Sequence, residues 1–74
     1  MIIQINKELT GKKLKNYRLN IFQSVRQVSE VTGISRDIII NIEKGKSLIS
    51  ITNLVILCNY YNKSIDSTIS YNII

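Results

Sequence analysis

Histidine, proline and tryptophan are absent from this chain of 74 residues, and Cys58 is its only cysteine. The lack of histidine removes the most common general base and the most common zinc ligand in proteins. Cys58 ends the apolar run Leu54–Cys58, where a thiol usually serves as a small core residue, and one cysteine cannot form a disulfide within the chain. We therefore expect no metal site and no bound cofactor.

Catalytic machinery and membrane-binding segments are also missing. The five acidic residues are too scattered to suggest a paired-carboxylate site, and no glycine-rich phosphate loop is present. The longest apolar run is too short to cross a bilayer, and Met1–Asn6 shows neither a basic leader nor a signal cleavage site. No helical segment pairs a strongly basic face with a free apolar one. The sequence predicts a cytoplasmic protein that is not an enzyme and does not bind membranes.

Positive charge is the main compositional feature of the chain. Ten lysine and arginine residues stand against five acidic residues, which gives a net charge of +5. This balance favours a polyanionic partner, either a nucleic acid or an anionic membrane surface, although an ordinary soluble basic domain would carry the same charge. Apolar residues make up 45% of the chain, which is typical of a globular protein, and the length allows one domain with a small core.

Helices should dominate, because the chain has no proline and only three glycines. We expect a first helix that begins between Asn6 and Thr10 and ends near Asn20. The N-caps expected for four further short helices are Ser24, Ser35, Ser50 and Ser64, and Gly33 and Gly45 should end the second and third helices. The apolar positions predicted to face the core are Leu14, Tyr17, Ile21, Val28, Val31, Ile39, Ile42, Ile51, Leu54, Leu57, Cys58 and Tyr61. The last short helix should run through Ile65 and Ile69.

The two ends of the chain show a different pattern from the middle. Apolar and polar residues alternate over Ile3–Asn6 and again over Ile69–Ile73. A period of two residues is typical of short strands, which would pair with each other or across a dimer. Loosely held tails are the alternative interpretation.

The segment from Ser24 to Gly45 is the most informative part of the sequence. It contains a capped helix that starts with the capping box Ser24-x-x-Gln27, then Gly33, a short gap, and a second capped helix. A short turn with glycine makes two helices cross steeply, so that the second one projects from the body. A projecting helix fits the major groove of B-DNA, although the same geometry also occurs in proteins that do not bind DNA.

Many residues in and around this segment stand at fixed spacings. In the first part of the chain they are Tyr17, Arg18, Ser24, Val28, Ser29, Gly33, Ile34, Ser35, Ile39, Ile42, Glu43 and Gly45. Downstream they are Ser50, Ile51, Leu54, Leu57, Cys58, Tyr61, Ser64, Ile65, Asp66 and Ile69. With these residues the chain resembles the Cro/CI (XRE) family of phage and bacterial regulators over about residues 10–70. The resemblance implies an all-α, five-helix, lambda-repressor-like DNA-binding domain that spans residues 1–74, with its helix-turn-helix at about 24–43.

The resemblance also implies a role for individual residues. Arg18 and Glu43 occupy the positions of a structural ion pair that ties the first helix to the end of the recognition helix. The positions that face DNA bases in the family are Arg36, Asp37, Ile40 and Asn41. The expected phosphate contacts are Ser24, Arg26, Ser35, Lys44 and Lys46, together with the free amides at the start of the second helix.

Five residues depart from the family pattern. Val25 stands where the family commonly has a glutamine that helps to hold a phosphate. Phe22 and Gln23 replace the usual glycine and leucine after the first helix, so we expect that loop to be rebuilt around Phe22. Thr32 replaces an apolar residue, and Ile49 stands where proline is frequent. These changes indicate a divergent member of the family.

The sequence therefore predicts a sequence-specific regulator, most simply a repressor, that binds an inverted repeat in double-stranded DNA as a homodimer. The candidate dimer residues are Tyr60, Ile69, Tyr71 and Ile73. The alternative is a protein-interaction module, such as an antitoxin or a phage switch protein, that acts through a protein partner or antagonist. The apolar ends of the chain and the exposed positions Ile38 and Ile40 favour that alternative.

Overall fold

The structure is a computed structural model that describes residues 1–74, and it contains five helices and two short strands. In chain order the elements are β1 (Ile3–Ile5), α1 (Lys7–Asn20), α2 (Val25–Thr32), α3 (Arg36–Glu43), α4 (Ile51–Tyr61), α5 (Ile65–Thr68) and β2 (Tyr71–Ile73). This architecture confirms the predicted lambda-repressor-like fold with short terminal strands.

A polar side chain caps the start of every helix. Asn6 accepts a hydrogen bond from the amide of Leu9 at 2.9 Å, and all four predicted serine caps are present. At α2 the capping box is complete, because Ser24 accepts from the Gln27 amide while the Gln27 side chain accepts from the Ser24 amide. The local sequence therefore defines the helix starts, as expected for side chains that satisfy otherwise free amides.

The core lies between α1, α2, α3 and α4. Its buried apolar residues are Leu14, Val28, Ile34, Ile39, Ile42, Ile49, Leu54, Leu57, Cys58 and Tyr61. Three residues predicted to face inward are exposed instead, namely Ile21, Val31 and Ile51. Ile21 and Ile51 lie at helix ends, and Val31 lies one turn after the buried Val28 near the end of α2. Periodicity marks an apolar face correctly but does not show how much of that face its neighbours cover.

Helices α1 and α3 cross at Gly11. A Cβ atom at this position would lie 2.0 Å from the carbonyl oxygen of Ile42, so only glycine allows the two backbones to approach this closely. This contact places the end of α3 directly against the middle of α1.

The chain ends pair with each other as a two-stranded antiparallel ribbon. Ile3 lies opposite Ile73, and Ile5 lies opposite Tyr71. The ribbon is joined to the helices through Ser70, whose amide donates to the Thr10 hydroxyl at 3.0 Å and whose carbonyl accepts from the Asn6 amide. The predicted strands are thus confirmed, and they pair within one chain.

Candidate nucleic-acid interface

The turn between α2 and α3 is short and is held by three hydrogen bonds. Gly33 ends α2 in the left-handed conformation, with φ of 76°, and its amide donates to the carbonyl of Ser29. The Thr32 hydroxyl donates to the Val28 carbonyl at 2.7 Å and accepts from the Ile34 amide at 3.3 Å. Thr32, a departure from the family pattern, therefore contributes polar contacts that fix the turn. Buried Ile34 anchors it to the core.

Helix α3 exposes the side chains that the sequence assigns to base recognition. Arg36, Asp37 and Asn41 are exposed, while Ile40 is half-buried. Opposite them, Ile39 and Ile42 are buried in the core. A shallow depression on the exposed side is lined by Ser35, Arg36, Asp37 and Ile40. The structure thus brings the four predicted base-contact residues together on one short helix.

The start of α2 offers free backbone donors. The capping box uses the amides of Ser24 and Gln27, and the amides of Val25 and Arg26 have no acceptor within the chain. Arg26 also pairs with Glu30 at 3.1 Å, but both side chains are largely exposed. A surface ion pair of this kind is weak, so the Arg26 guanidinium remains available to an anion. Free amides at a helix N-terminus favour a phosphate group.

A second group of donors surrounds the two ends of α3. Ser35 caps the start of the helix through the Ile38 amide and is exposed. Beyond the end of the helix, the Lys46 amide donates to the Asn41 carbonyl at 2.9 Å, which folds the following loop back against α3. Lys44 and Lys46 are both exposed there. Positive charge therefore lies next to the helix that carries the base-contact candidates.

Arg18 and Glu43 form the ion pair that the resemblance implied. Two hydrogen bonds of 2.8 and 2.9 Å join the guanidinium to the carboxylate, and both side chains are about nine-tenths buried, with exposed fractions of 10% and 7%. The hydrogen bonds that Arg18 donates to Glu43 raise the pKa of Arg18 above its ordinary value, against the opposing effect of burial. Because Glu43 is the last residue of α3, the pair fixes that helix to α1.

One part of this arrangement was not predicted from the sequence. Arg18 also donates to the carbonyl of Gln23 at 2.9 Å, and the Gln23 side chain accepts a hydrogen bond from the Tyr60 hydroxyl. These bonds connect α4, the loop after α1 and the Arg18–Glu43 pair. The departure from leucine at Gln23 was the available signal, but nothing in the sequence identified Tyr60 as its partner.

The four candidate dimer residues fall into two groups. Tyr60 and Ile69 are half-buried and pack against the core of their own chain. Tyr71 and Ile73 lie on the terminal ribbon and are exposed.

None of the helices has both the length and the apolar composition needed to span a membrane.

Two capped helices are joined by a tight glycine turn, and the second of them exposes one face while Arg18 holds its last residue. This arrangement defines a helix-turn-helix protein. The sequence model of the helix-turn-helix family matches residues 14–67, which is more than half of the chain. The chain belongs to this family and is of the Cro/CI (XRE) type. No curated protein sequence matches the chain.

Solved structures with the same fold include several regulators. The clp gene regulator ClgR from Corynebacterium glutamicum is 20% identical, with a TM-score of 0.79 over 88% of this chain and 69% of that one. The restriction-modification controller protein C.AhdI from Aeromonas hydrophila is 18% identical, with a TM-score of 0.78 over 84% and 94%. The BldD DNA-binding domain from S. venezulae is 18% identical, with a TM-score of 0.77 over 88% and 97%. At these identities the likeness shows the fold.

Proposed function

We propose that this helix-turn-helix protein is a transcriptional repressor that binds an inverted repeat in duplex DNA as a homodimer. The observation that carries the proposal is the exposed face of α3, which presents Arg36, Asp37, Ile40 and Asn41 while its last residue is held by Arg18. A helix fixed in this way can enter the major groove without losing its orientation. The structural neighbours named as a gene regulator and as a controller protein support a regulatory role.

The four side chains on this face match different base edges. Arg36 can donate two hydrogen bonds to a guanine, and Asn41 can pair with the donor and acceptor of an adenine. Asp37 can accept a hydrogen bond from a cytosine amino group, and Ile40 can pack on a thymine methyl group. Asp37 lies in the first turn of α3, where a carboxylate interacts favourably with the free amides and the helix dipole. It therefore also stabilises the helix, independently of any contact with DNA.

Phosphate contacts on both sides of α3 would fix the helix in the groove. The free amides of Val25 and Arg26, together with the Ser24 and Ser35 hydroxyls, suit phosphates on one side of the groove. The exposed cations Lys44 and Lys46 suit the backbone beyond the end of α3. Such contacts position the protein but carry no sequence information, so specificity would depend on α3 alone.

A homodimer is favoured by the terminal ribbon. Ile3, Tyr71 and Ile73 lie on one face of the ribbon and are all exposed, so that a second copy could cover them. No charged side chain lies in Met1–Asn6 or in residues 70–74, so nothing in the ribbon opposes self-association. Two copies related by a two-fold axis would read two half-sites about one helical turn apart. Repression would follow from occupancy of a promoter.

Selection of bound sequences from random duplex DNA, followed by titration of the selected site at several salt concentrations, tests the proposal. We expect an enriched inverted repeat and an affinity that falls steeply with salt. Arg36→Ala and Asn41→Ala should each reduce the discrimination between bases at particular positions of the site by about 1–3 kcal/mol. Lys46→Ala should weaken binding to all sequences alike and reduce the salt slope by about one.

Lys12→Ala is the matched control for Lys46→Ala, because Lys12 is also an exposed lysine but lies on α1, outside the proposed interface. It should leave affinity and salt slope nearly unchanged. If the wild-type protein neither enriches a sequence nor binds duplex DNA at low salt, the repressor proposal is wrong. The exposed Ile38 would then favour a protein partner on α3, and an antitoxin or switch protein would become the better interpretation.

A further inference from the structure

Phe22 combines two features that are rarely found together. Its side chain is 93% exposed, the highest value of any large apolar residue after Met1, and its backbone has a φ of 57°. The left-handed region is unfavourable for an L-residue with a bulky side chain. Asn62 is the other non-glycine residue in this region, and asparagine tolerates that conformation far better. The fold alone would be served better by glycine at position 22.

The backbone on both sides of Phe22 is held in place. Its amide donates to the Leu19 carbonyl at 3.0 Å, and the next amide, that of Gln23, donates to the Arg18 carbonyl at 3.2 Å. Arg18 returns a hydrogen bond to the Gln23 carbonyl, and Tyr60 bonds the Gln23 side chain. The aromatic ring is therefore presented to solvent from a fixed backbone. Binding of the ring would therefore require no further ordering of the backbone, and only the side-chain rotamers would have to be fixed.

Phe22 also lies next to the proposed phosphate site at α2. Two peptide units separate it from Ser24, so the two Cα atoms are within about 8 Å of each other. The free amides of Val25 and Arg26 follow directly. A DNA backbone bound at the start of α2 would therefore lie near residue 22. The deoxyribose beside each phosphate carries C–H groups on which an aromatic ring can pack.

We propose that Phe22 is a DNA contact that packs against the deoxyribose backbone beside the phosphate bound at the start of α2. This inference rests on the proposed DNA-binding function and adds a contact residue to it. Continuity with that interface favours DNA as the occupant over a protein. Leu19 and Ile21, which precede Phe22 in the chain, are also exposed and add to the apolar surface. A protein partner for this surface is the competing outcome of the test.

The test is the substitution Phe22→Gly, compared with Asn62→Gly at the other left-handed position. Both variants relieve an unfavourable backbone conformation, so neither should lower the melting temperature, and Phe22→Gly should raise it. We expect Phe22→Gly to bind the selected DNA about tenfold more weakly, and Asn62→Gly to bind like the wild type. Fluorescence anisotropy on a labelled duplex measures the affinities, and thermal unfolding measures the stability.

The salt dependence identifies the kind of contact that is lost. An apolar contact releases no counterions, so Phe22→Gly should weaken binding without changing the slope of affinity against salt, whereas Arg26→Ala should reduce that slope. Equal affinities for Phe22→Gly and the wild type would overturn the inference and leave the DNA-binding function intact. A reduced salt slope for Phe22→Gly would also overturn it, because the contact would not be apolar. If the wild type binds no duplex DNA, the proposed function fails, and this inference fails with it.

Discussion

The helical body (α1 to α4) and the terminal ribbon (β1 with β2) differ in how far their side chains are buried by contacts within the chain. In the helical body, even the charged pair Arg18–Glu43 is buried and fully hydrogen-bonded, and Gly11 allows direct backbone contact with α3. In the terminal ribbon, Ile3, Tyr71 and Ile73 are exposed, and no neighbouring helix covers them. The contacts that hold the helices together are all made within one chain, and the apolar residues that the body exposes, such as Phe22 and Ile51, lie outside them. The ribbon has no packed layer on its apolar face at all.

This difference separates two requirements of the proposed DNA-binding dimer. The recognition helix must keep one orientation, and it obtains this from contacts within the body. A two-stranded ribbon is only marginally stable by itself in water, because three or more strands, or a helix packed on one face, are usually needed. Covering the ribbon with a second copy would add the missing layer. We therefore expect substitutions in the body to affect folding first, and substitutions in the ribbon to affect assembly first.

The largest expected effect comes from breaking the buried ion pair of the body. Arg18→Met leaves the carboxylate of Glu43 buried without a partner, so it should lower the free energy of unfolding by about 3–5 kcal/mol. The double variant Arg18→Met with Glu43→Leu should recover most of this loss, since no unpaired charge remains. Urea titration of both variants measures the difference.

The exposed pair Arg26–Glu30 provides the control for this experiment. Arg26→Met should change the free energy of unfolding by less than about 1 kcal/mol, because a solvent-exposed ion pair contributes little. Equal losses for Arg18→Met and Arg26→Met would show that burial of the first pair does not set its importance. The contrast between the buried contacts of the helical body and the exposed side chains of the surface would then lose its main support.

A smaller loss is expected when Gly11 is replaced. Gly11→Ala places a methyl group against the carbonyl of Ile42, so α1 and α3 must separate, and we expect a cost of about 2–3 kcal/mol. Gly33→Ala is the matched variant, since a Cβ atom there meets nothing within 4 Å and only the positive φ is unfavourable. That cost should be about 1–2 kcal/mol. Thermal unfolding compares them, and a larger loss for Gly33→Ala would contradict the close crossing of α1 and α3.

The pH dependence of stability tests how the helical body buries Tyr61. The Tyr61 hydroxyl is buried and makes no hydrogen bond within the chain, and burial raises the pKa of its phenol well above the ordinary value. Above pH 10 the unfolded chain loses this proton while the folded chain keeps it. The free energy of unfolding should therefore fall by about 1.4 kcal/mol per pH unit from this group alone. Below pH 10 the contribution is fully present.

Tyr61→Phe removes this alkaline loss of stability. At pH 7 the variant should be as stable as the wild type, or up to about 1 kcal/mol more stable, because an unsatisfied buried hydroxyl is removed. Between pH 10 and 11 its advantage should grow. Urea titrations at each pH measure the variant and the wild type, and identical profiles for the two would disprove the assignment.

The sequence predicted the parts of the fold that depend on local chemistry. Helix starts followed from capping side chains such as Ser24 and Ser35, and the alternating ends predicted the two strands. The exposure of Val31 could not be predicted, because it depends on which side of α2 its neighbours leave open. Gly11 gave no signal either, since its close contact with α3 is made across the fold rather than along the chain.

The candidate site shows the same division. The resemblance supplied Arg18 and Glu43 as a pair, and the structure brings them together. It gave no partner for Gln23, because the hydrogen bond to Tyr60 joins residues that are far apart in the sequence. Long-range polar contacts of this kind depend on packing that periodicity and spacing do not describe.

The smallest effect on folding, and the most direct test of the ribbon, is expected for Ile73→Lys. Ile73 is 63% exposed, so a lysine there should change the free energy of unfolding of one chain by less than about 0.5 kcal/mol. In a dimer, two copies of the new charge would be brought into an apolar interface, so we expect dissociation to monomers. Ile51→Lys is the matched control, since Ile51 is 68% exposed and lies on the body. Sedimentation equilibrium measures the state of both. A monomeric Ile51→Lys beside a dimeric Ile73→Lys would place the interface on α4 and remove the assembly role of the ribbon.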